Sequence, residues 1–189
     1  MIIGITGTLG AGKGTVAEYL VKHRGFTYLS VRNFLAGEVV RRGLVVNRDT
    51  ITQVANELRA QRGAGWIVDQ LLTQAIEQTR TLRQKGVVIE SIRSIGEAQI
   101  LKSKSALLWA VDAGPQTRYQ RIVGRGSTTD SVSFEKFLED EKREWDNADP
   151  NKQNLKGVMA IADETFTNNG TQEELFAQVE AGLKKASNH

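Results

Sequence analysis

The chain has 189 residues, 40% hydrophobic and 25% charged, with 25 Lys and Arg against 22 Asp and Glu. This suits one domain with a buried core and excludes a disordered tail or fibrous repeat, while a net charge of +3 is too mild to imply nucleic acid. With no cysteine, and His23 and His189 the only histidines, a disulfide scaffold, a thiolate or histidine-rich metal centre and an ordinary Ser-His-Asp triad are excluded too. No apolar run approaches the roughly 20 residues that span a bilayer, and the N-terminus opens on a strand-like run, not a charged leader. A soluble, cytoplasmic protein is expected, monomeric or weakly self-associating, with neither membrane nor nucleic acid as partner.

Residues 1–6, β-branched and followed by Gly7, predict a buried strand. From Gly14 to Lys22, Val16, Ala17, Leu20 and Val21 recur at helical spacing. Residues 26–30 predict a second strand. Helices are predicted over 31–42, 50–61 and 66–84; in the second, Ile51, Val54, Ala55 and Leu58 share one face. Strands follow at 86–90 and 106–111, with a helix at 95–102 between them. Pro115 opens a helix over 116–123, a position where proline is tolerated. A charged helix covers 132–145, and a weaker strand covers 164–167. Thr171-Gln-Glu-Glu174 opens the last helix as a capping box.

Strands alternating with helices imply right-handed βαβ units and a parallel sheet covered on both faces. The expected fold is α/β, with five parallel strands in one domain over 1–189. About 55 residues between the second and third strands are helical only. That exceeds one crossover, so an inserted helical substructure is expected at about 31–66.

Gly7-Thr-Leu-Gly-Ala-Gly-Lys-Gly-Thr15 lies between the first strand and the first helix. Strand, glycine spacing, lysine and helix together define a phosphate-binding loop. Glycines leave the backbone bare, so successive N–H groups of Gly10, Ala11, Gly12, Lys13 and Gly14 can wrap a phosphate at a helix N-terminus. Lys13 brings a full charge to the outer phosphates. Thr15 offers a hydroxyl to phosphate or magnesium. Glu90, closing the third strand at its carboxyl end, is a second candidate for magnesium.

Arginine suits phosphate because its planar fork makes paired bonds. Residues 24–62 hold seven arginines and three acids. Arg32 follows the second strand, Arg48 lies in the insert, and Arg93 follows the third strand. Arg121 and Arg125 stand one helical turn apart. Residues 126–150 carry eight acidic and three basic residues, and a charge run of this kind reads as a solvated face. Trp66, Trp109 and Trp145 read as packing residues.

The Gly-Lys-Gly-Thr ending of the loop resembles the nucleoside monophosphate kinases, adenylate kinase above all. The stretch Ile161-Ala-Asp-Glu-Thr-Phe-Thr-Asn-Asn-Gly170 resembles the last strand and following loop of dephospho-CoA kinases. Over nearly its whole length the chain is similar to small P-loop kinases of the dephospho-CoA-kinase-like or deoxynucleotide-kinase-like group. The resemblance implies a P-loop NTPase fold, ATP and Mg2+ as cofactors, and a lid at about 126–150. It implies that Lys13, Arg93, Arg121 and Arg125 are catalytic, with the last two as lid arginines. Arg32, Arg48 and Arg93 would hold the acceptor, Thr15 and Glu90 the metal, and Asn168 and Gly170 would border the adenine. Dephospho-CoA kinases place an aspartate after the second strand to activate a hydroxyl. Here that stretch is Ser30-Val-Arg-Asn-Phe34, without an acid. A nucleoside or deoxynucleoside monophosphate is therefore the expected acceptor. Dephospho-CoA is the alternative, and an ATP-binding regulatory module without transfer activity the second.

Overall fold

The computed structural model describes residues 1–82, 85–124 and 133–187, with the side chains of 79–82 excepted. Five strands form one sheet in the order β2-β3-β1-β4-β5, and every pairing is parallel. They are β1 (Ile2–Gly7), β2 (Phe26–Ser30), β3 (Gly86–Glu90), β4 (Leu107–Asp112) and β5 (Glu164–Thr167). Between them run α1 (Lys13–Arg24), α2 (Val31–Arg41), α3 (Arg48–Arg62), α4 (Trp66–Leu82), α5 (Ile95–Ser103), α6 (Pro115–Gly124), α7 (Phe134–Trp145) and α8 (Leu155–Ala160), and α9 (Gln172–Ala186) follows the last strand.

Alternation along the strands divides the core in two. Ile3, Ile5, Val88, Trp109, Val111 and Phe166 pack against α1 and α9. Leu29, Val87, Ile89 and Leu108 pack against α2, α3, α4, α5 and α8 on the other face. A sheet buried on both sides explains why its strands read as continuous apolar runs. Parallel register aligns the carboxyl ends of the central strands: Ile5 pairs with Glu90, and Gly7 pairs with Val111 next to Asp112. One edge of the sheet therefore gathers the phosphate loop, Glu90 and Asp112, where open α/β sheets bind ligands.

The expected strands and helices form with end shifts of a few residues at most, and the Thr171–Glu174 capping box is made in both directions. Helix α8 went unforeseen, since six residues enclosing Gly157 give too little periodicity to read. Trp109 is fully buried, but Trp145 is 37% exposed and does not serve as a core residue. Arg125, residues 126–132 of the expected lid, and residues 83–84 of the expected fourth helix lie outside the described residues.

Candidate active site

Helix α1 begins differently from its neighbours. Ser30, Asn47, Ser94, Ser133, Asn154 and Thr171 each cap a helix with a side-chain oxygen. Helix α1 starts on Gly12, in the left-handed region at φ 101°, with no side-chain cap. Its leading N–H groups therefore have no side-chain acceptor, as a phosphate site requires. Gly7, at φ 134°, passes so close to β4 that a Cβ would overlap the Val111 carbonyl. Lys13 is 7% exposed, and its ammonium donates to the carbonyls of Gly7 (3.0 Å) and Thr8 (2.8 Å). The cation is thus folded into the loop it serves.

Two further residues brace the loop. The Asn168 side chain, nearly buried after β5, donates to the Ala11 carbonyl at 2.8 Å. The Asp112 carboxylate at the end of β4 accepts from the Thr8 hydroxyl at 2.6 Å. The sequence held no sign of the Asp112 contact, because its partner is 104 positions away. Arg121 reaches Asn168 at 3.4 Å, while its buried Nη1 finds no hydrogen-bond partner among the described residues. Arg121, Gly12, Thr15, Asn168 and Gly170 line one open cavity beside the loop.

Glu90 is half-buried at its strand end, and its carboxylate accepts from the Tyr28 hydroxyl at 2.7 Å. Desolvation, then the Glu90 charge, push the Tyr28 phenol up to about 12, so the tyrosine remains a donor. Thr15 is half-buried in the first turn of α1. These hard oxygens fit Mg2+. Among the described residues no three His, Cys, Asp or Glu gather as a metal cage.

Arg32, Arg48 and Arg93 come from three separate segments and line one cavity. Its apolar wall is Val31, Leu35, Ile51 and Ala55, and Leu9 of the phosphate loop closes one side. The same cavity holds a carboxylate. Glu144 of α7 accepts from Arg48 Nη2 at 2.7 Å through one oxygen and from Arg93 Nη1 through the other. Burial opposes its charge, yet Arg93 and Arg48, with Lys13 beyond them, hold its carboxyl below the usual range. Asp140, one turn earlier, meets Arg48 at 3.4 Å, and Glu141 takes both terminal nitrogens of buried Arg118. The 126–150 acids therefore do not form a wholly solvated face. Three of them anchor α7 to arginines from 23 to 96 positions away, beyond the reach of a local charge pattern.

A buried pair sets this geometry. Arg59 of α3 is 1% exposed and donates Nε and Nη2 to Glu97 Oε1 at 3.0 and 2.8 Å. Glu97, fully buried at the start of α5, uses Oε2 to accept the backbone N–H groups of Arg93 (2.9 Å) and Ser94 (3.1 Å). One carboxylate thus joins the helical insert to the turn that presents Arg93. That turn begins on Ser91, a non-glycine residue at φ 75° that also lines the cavity.

Residues 3–147 match the family described as AAA domain. The UPF0200 protein of Methanococcus vannielii is 31% identical over 185 residues, covering 97% of this chain and 95% of that protein. The UPF0200 protein of Thermococcus kodakarensis is 30% identical, covering 95% of this chain and 94% of that one. Among solved structures, TT1252 from Thermus thermophilus matches with a TM-score of 0.58 and 22% identity, covering 98% and 97% of the two chains. A gluconokinase from Sinorhizobium meliloti matches at 0.54 and 13%, covering 98% and 93%. Shikimate kinase from Aquifex aeolicus matches at 0.53 and 12%, covering 99% and 98%. At such identities the likeness speaks for the fold, which is that of P-loop kinases.

Proposed function

The chain belongs to the UPF0200 family and to the AAA domain family, and from that premise we propose that it is an ATP-dependent phosphotransferase acting on a nucleoside or deoxynucleoside monophosphate. One observation carries the reading: Arg32, Arg48 and Arg93 line a single cavity that touches the phosphate loop at Leu9. Its apolar wall suits a planar base, and its arginines suit a phosphate.

The triphosphate lies on the loop and the α1 N-terminus, with Lys13 on its outer phosphates. Thr15 and Glu90 would hold Mg2+, which when bound would supply positive charge to the triphosphate oxygens. An oxygen of the acceptor phosphate attacks the γ-phosphorus. The bond from γ-phosphorus to the bridging oxygen breaks, and ADP departs with that electron pair. The acceptor oxygen is already ionised, so no general base is required. Arg93 steadies the acceptor. Arg121 and Arg125 stabilise charge on the migrating group, which is the main catalytic need in phosphoryl transfer.

Dephospho-CoA, the alternative acceptor, would present a hydroxyl in need of a base. Glu144, the carboxylate lining the cavity, has both oxygens engaged by guanidiniums that lower its carboxyl and weaken it as a base, and the Ser30 hydroxyl accepts from the Asn33 N–H as the cap of α2. Neither is suited to removing a proton. Radiolabelled γ-phosphoryl transfer tests the assignment. Lys13→Ala is expected to abolish transfer with cooperative unfolding retained. Arg32→Ala is expected to raise the acceptor KM with the ATP KM unchanged. Full activity in the Lys13 variant would sink the mechanism.

A further inference from the structure

Glu144 is 8% exposed and spans two arginines that arrive from different elements: Arg48 opens α3, and Arg93 follows β3. Each carboxylate oxygen takes one guanidinium. Two oxygens of a phosphate would engage the same pair of forks in the same way. The ion pair also forms a wall. Arg48 and Glu144 line both the acceptor cavity and a second, polar cavity behind it that includes Arg143 and Lys152. Without the carboxylate, Arg48 would keep the more distant Asp140 at 3.4 Å and Arg93 the neutral Gln153 at 3.1 Å, so departure of Glu144 is favoured by the arrival of another anion.

We propose that Glu144 is a specificity-determining residue of the acceptor site, its carboxylate holding the place of the acceptor phosphate between Arg48 and Arg93 and yielding it only to a phosphomonoester. A tethered carboxylate competes at the high effective concentration of an intramolecular partner. A free carboxylate ligand brings the same charge and two oxygens, so it gains nothing by exchange. A phosphomonoester brings nearly twice the charge and three acceptor oxygens, and it prevails. Acceptors recognised through a carboxylate are thereby refused. This rests on reading the cavity as the acceptor site.

The test is calorimetric titration with inorganic phosphate and, separately, acetate, with the phosphate loop saturated by a non-hydrolysable ATP analogue. Wild type is expected to bind phosphate and not acetate. Glu144→Gln removes the competing charge, and if the pair is closed about nine-tenths of the time, phosphate binding tightens about tenfold. The same variant gains measurable acetate binding. Adding Arg93→Ala cancels both gains, which assigns them to this cavity whether or not the analogue binds. Glu144→Asp, too short to span both arginines, should change in the same direction and serves if the glutamine variant fails to fold. Weaker or unchanged phosphate binding in the folded variant would overturn the proposal, since the carboxylate would then only align the arginines. Failure of the kinase reading would look different: phosphate exchange as predicted, with no acceptor phosphorylated.

Discussion

Glu97 shows how one buried side chain sets a site it does not enter. Its two oxygens satisfy four donors: two from Arg59 and the backbone N–H groups of Arg93 and Ser94. Truncation to alanine strands a guanidinium that is 1% exposed and opens the α5 capping box. Loss of one partner from a buried ion pair costs about 3–5 kcal/mol. Urea denaturation of Glu97→Ala should show a loss in that range, whereas a loss of a few tenths would mean the pair is not holding the insert to the core. Nothing local announced this pair. Arg59 reads as one more cation in an arginine-rich stretch, and Glu97, 38 positions on, lies in a predicted helix with no role assigned to it. Lys13, by contrast, was legible from its loop alone, because strand, glycines and helix leave it a single place to point.

At the scale of an element, α1 and its N-cap hold two glycines with opposite demands. Gly12 sits at φ 101°, and an added Cβ would strike the Asn168 amide that braces the loop. Gly14 lies within the helix, with nothing within 4 Å of an added Cβ. Gly12→Ala should therefore destabilise the protein and weaken ATP binding. Gly14→Ala should raise stability by about 0.5–1 kcal/mol, the usual gain of alanine over glycine in a helix. Thermal unfolding of the two variants side by side checks this, and equal effects would contradict the loop geometry. The periodic elements were readable because apolar spacing reports burial directly, as in Ile51, Val54, Ala55 and Leu58. Helix α7 was readable as a helix but not as part of the site. Its acids look solvated until the fold brings Arg48, Arg93 and Arg118 against them.

Across the whole molecule, the charge network fixes how stability depends on pH. Hydrogen bonds from Arg41 and Arg42 depress the Glu38 carboxyl to about 2, and Arg93 and Arg48 overcome burial to lower Glu144. A depressed carboxyl binds protons more weakly folded than unfolded. Its stabilisation is therefore complete above the unfolded carboxylate range, near pH 4.3, and fades as pH falls toward 2. Denaturant midpoints should hold from pH 7 to 5 and fall steeply below 4, and a flat profile down to pH 2.5 would show that these pairs contribute nothing net. The parallel five-stranded sheet covered on both faces was legible in the sequence because strands alternating with helices leave few alternatives, whereas the strand order comes from the structure. The cavity lined by Arg32, Arg48 and Arg93 was only partly legible: its arginines could be named, but Glu144, which faces them, could not.

The most direct measurement is ADP release from MgATP against every ribo- and deoxynucleoside monophosphate, with dephospho-CoA and shikimate alongside. Release driven by a subset of the monophosphates, and not by shikimate, is the predicted result. Release driven by dephospho-CoA alone, or by none of them despite ATP binding, would contradict the assignment of a nucleoside monophosphate acceptor to the Arg32–Arg48–Arg93 cavity.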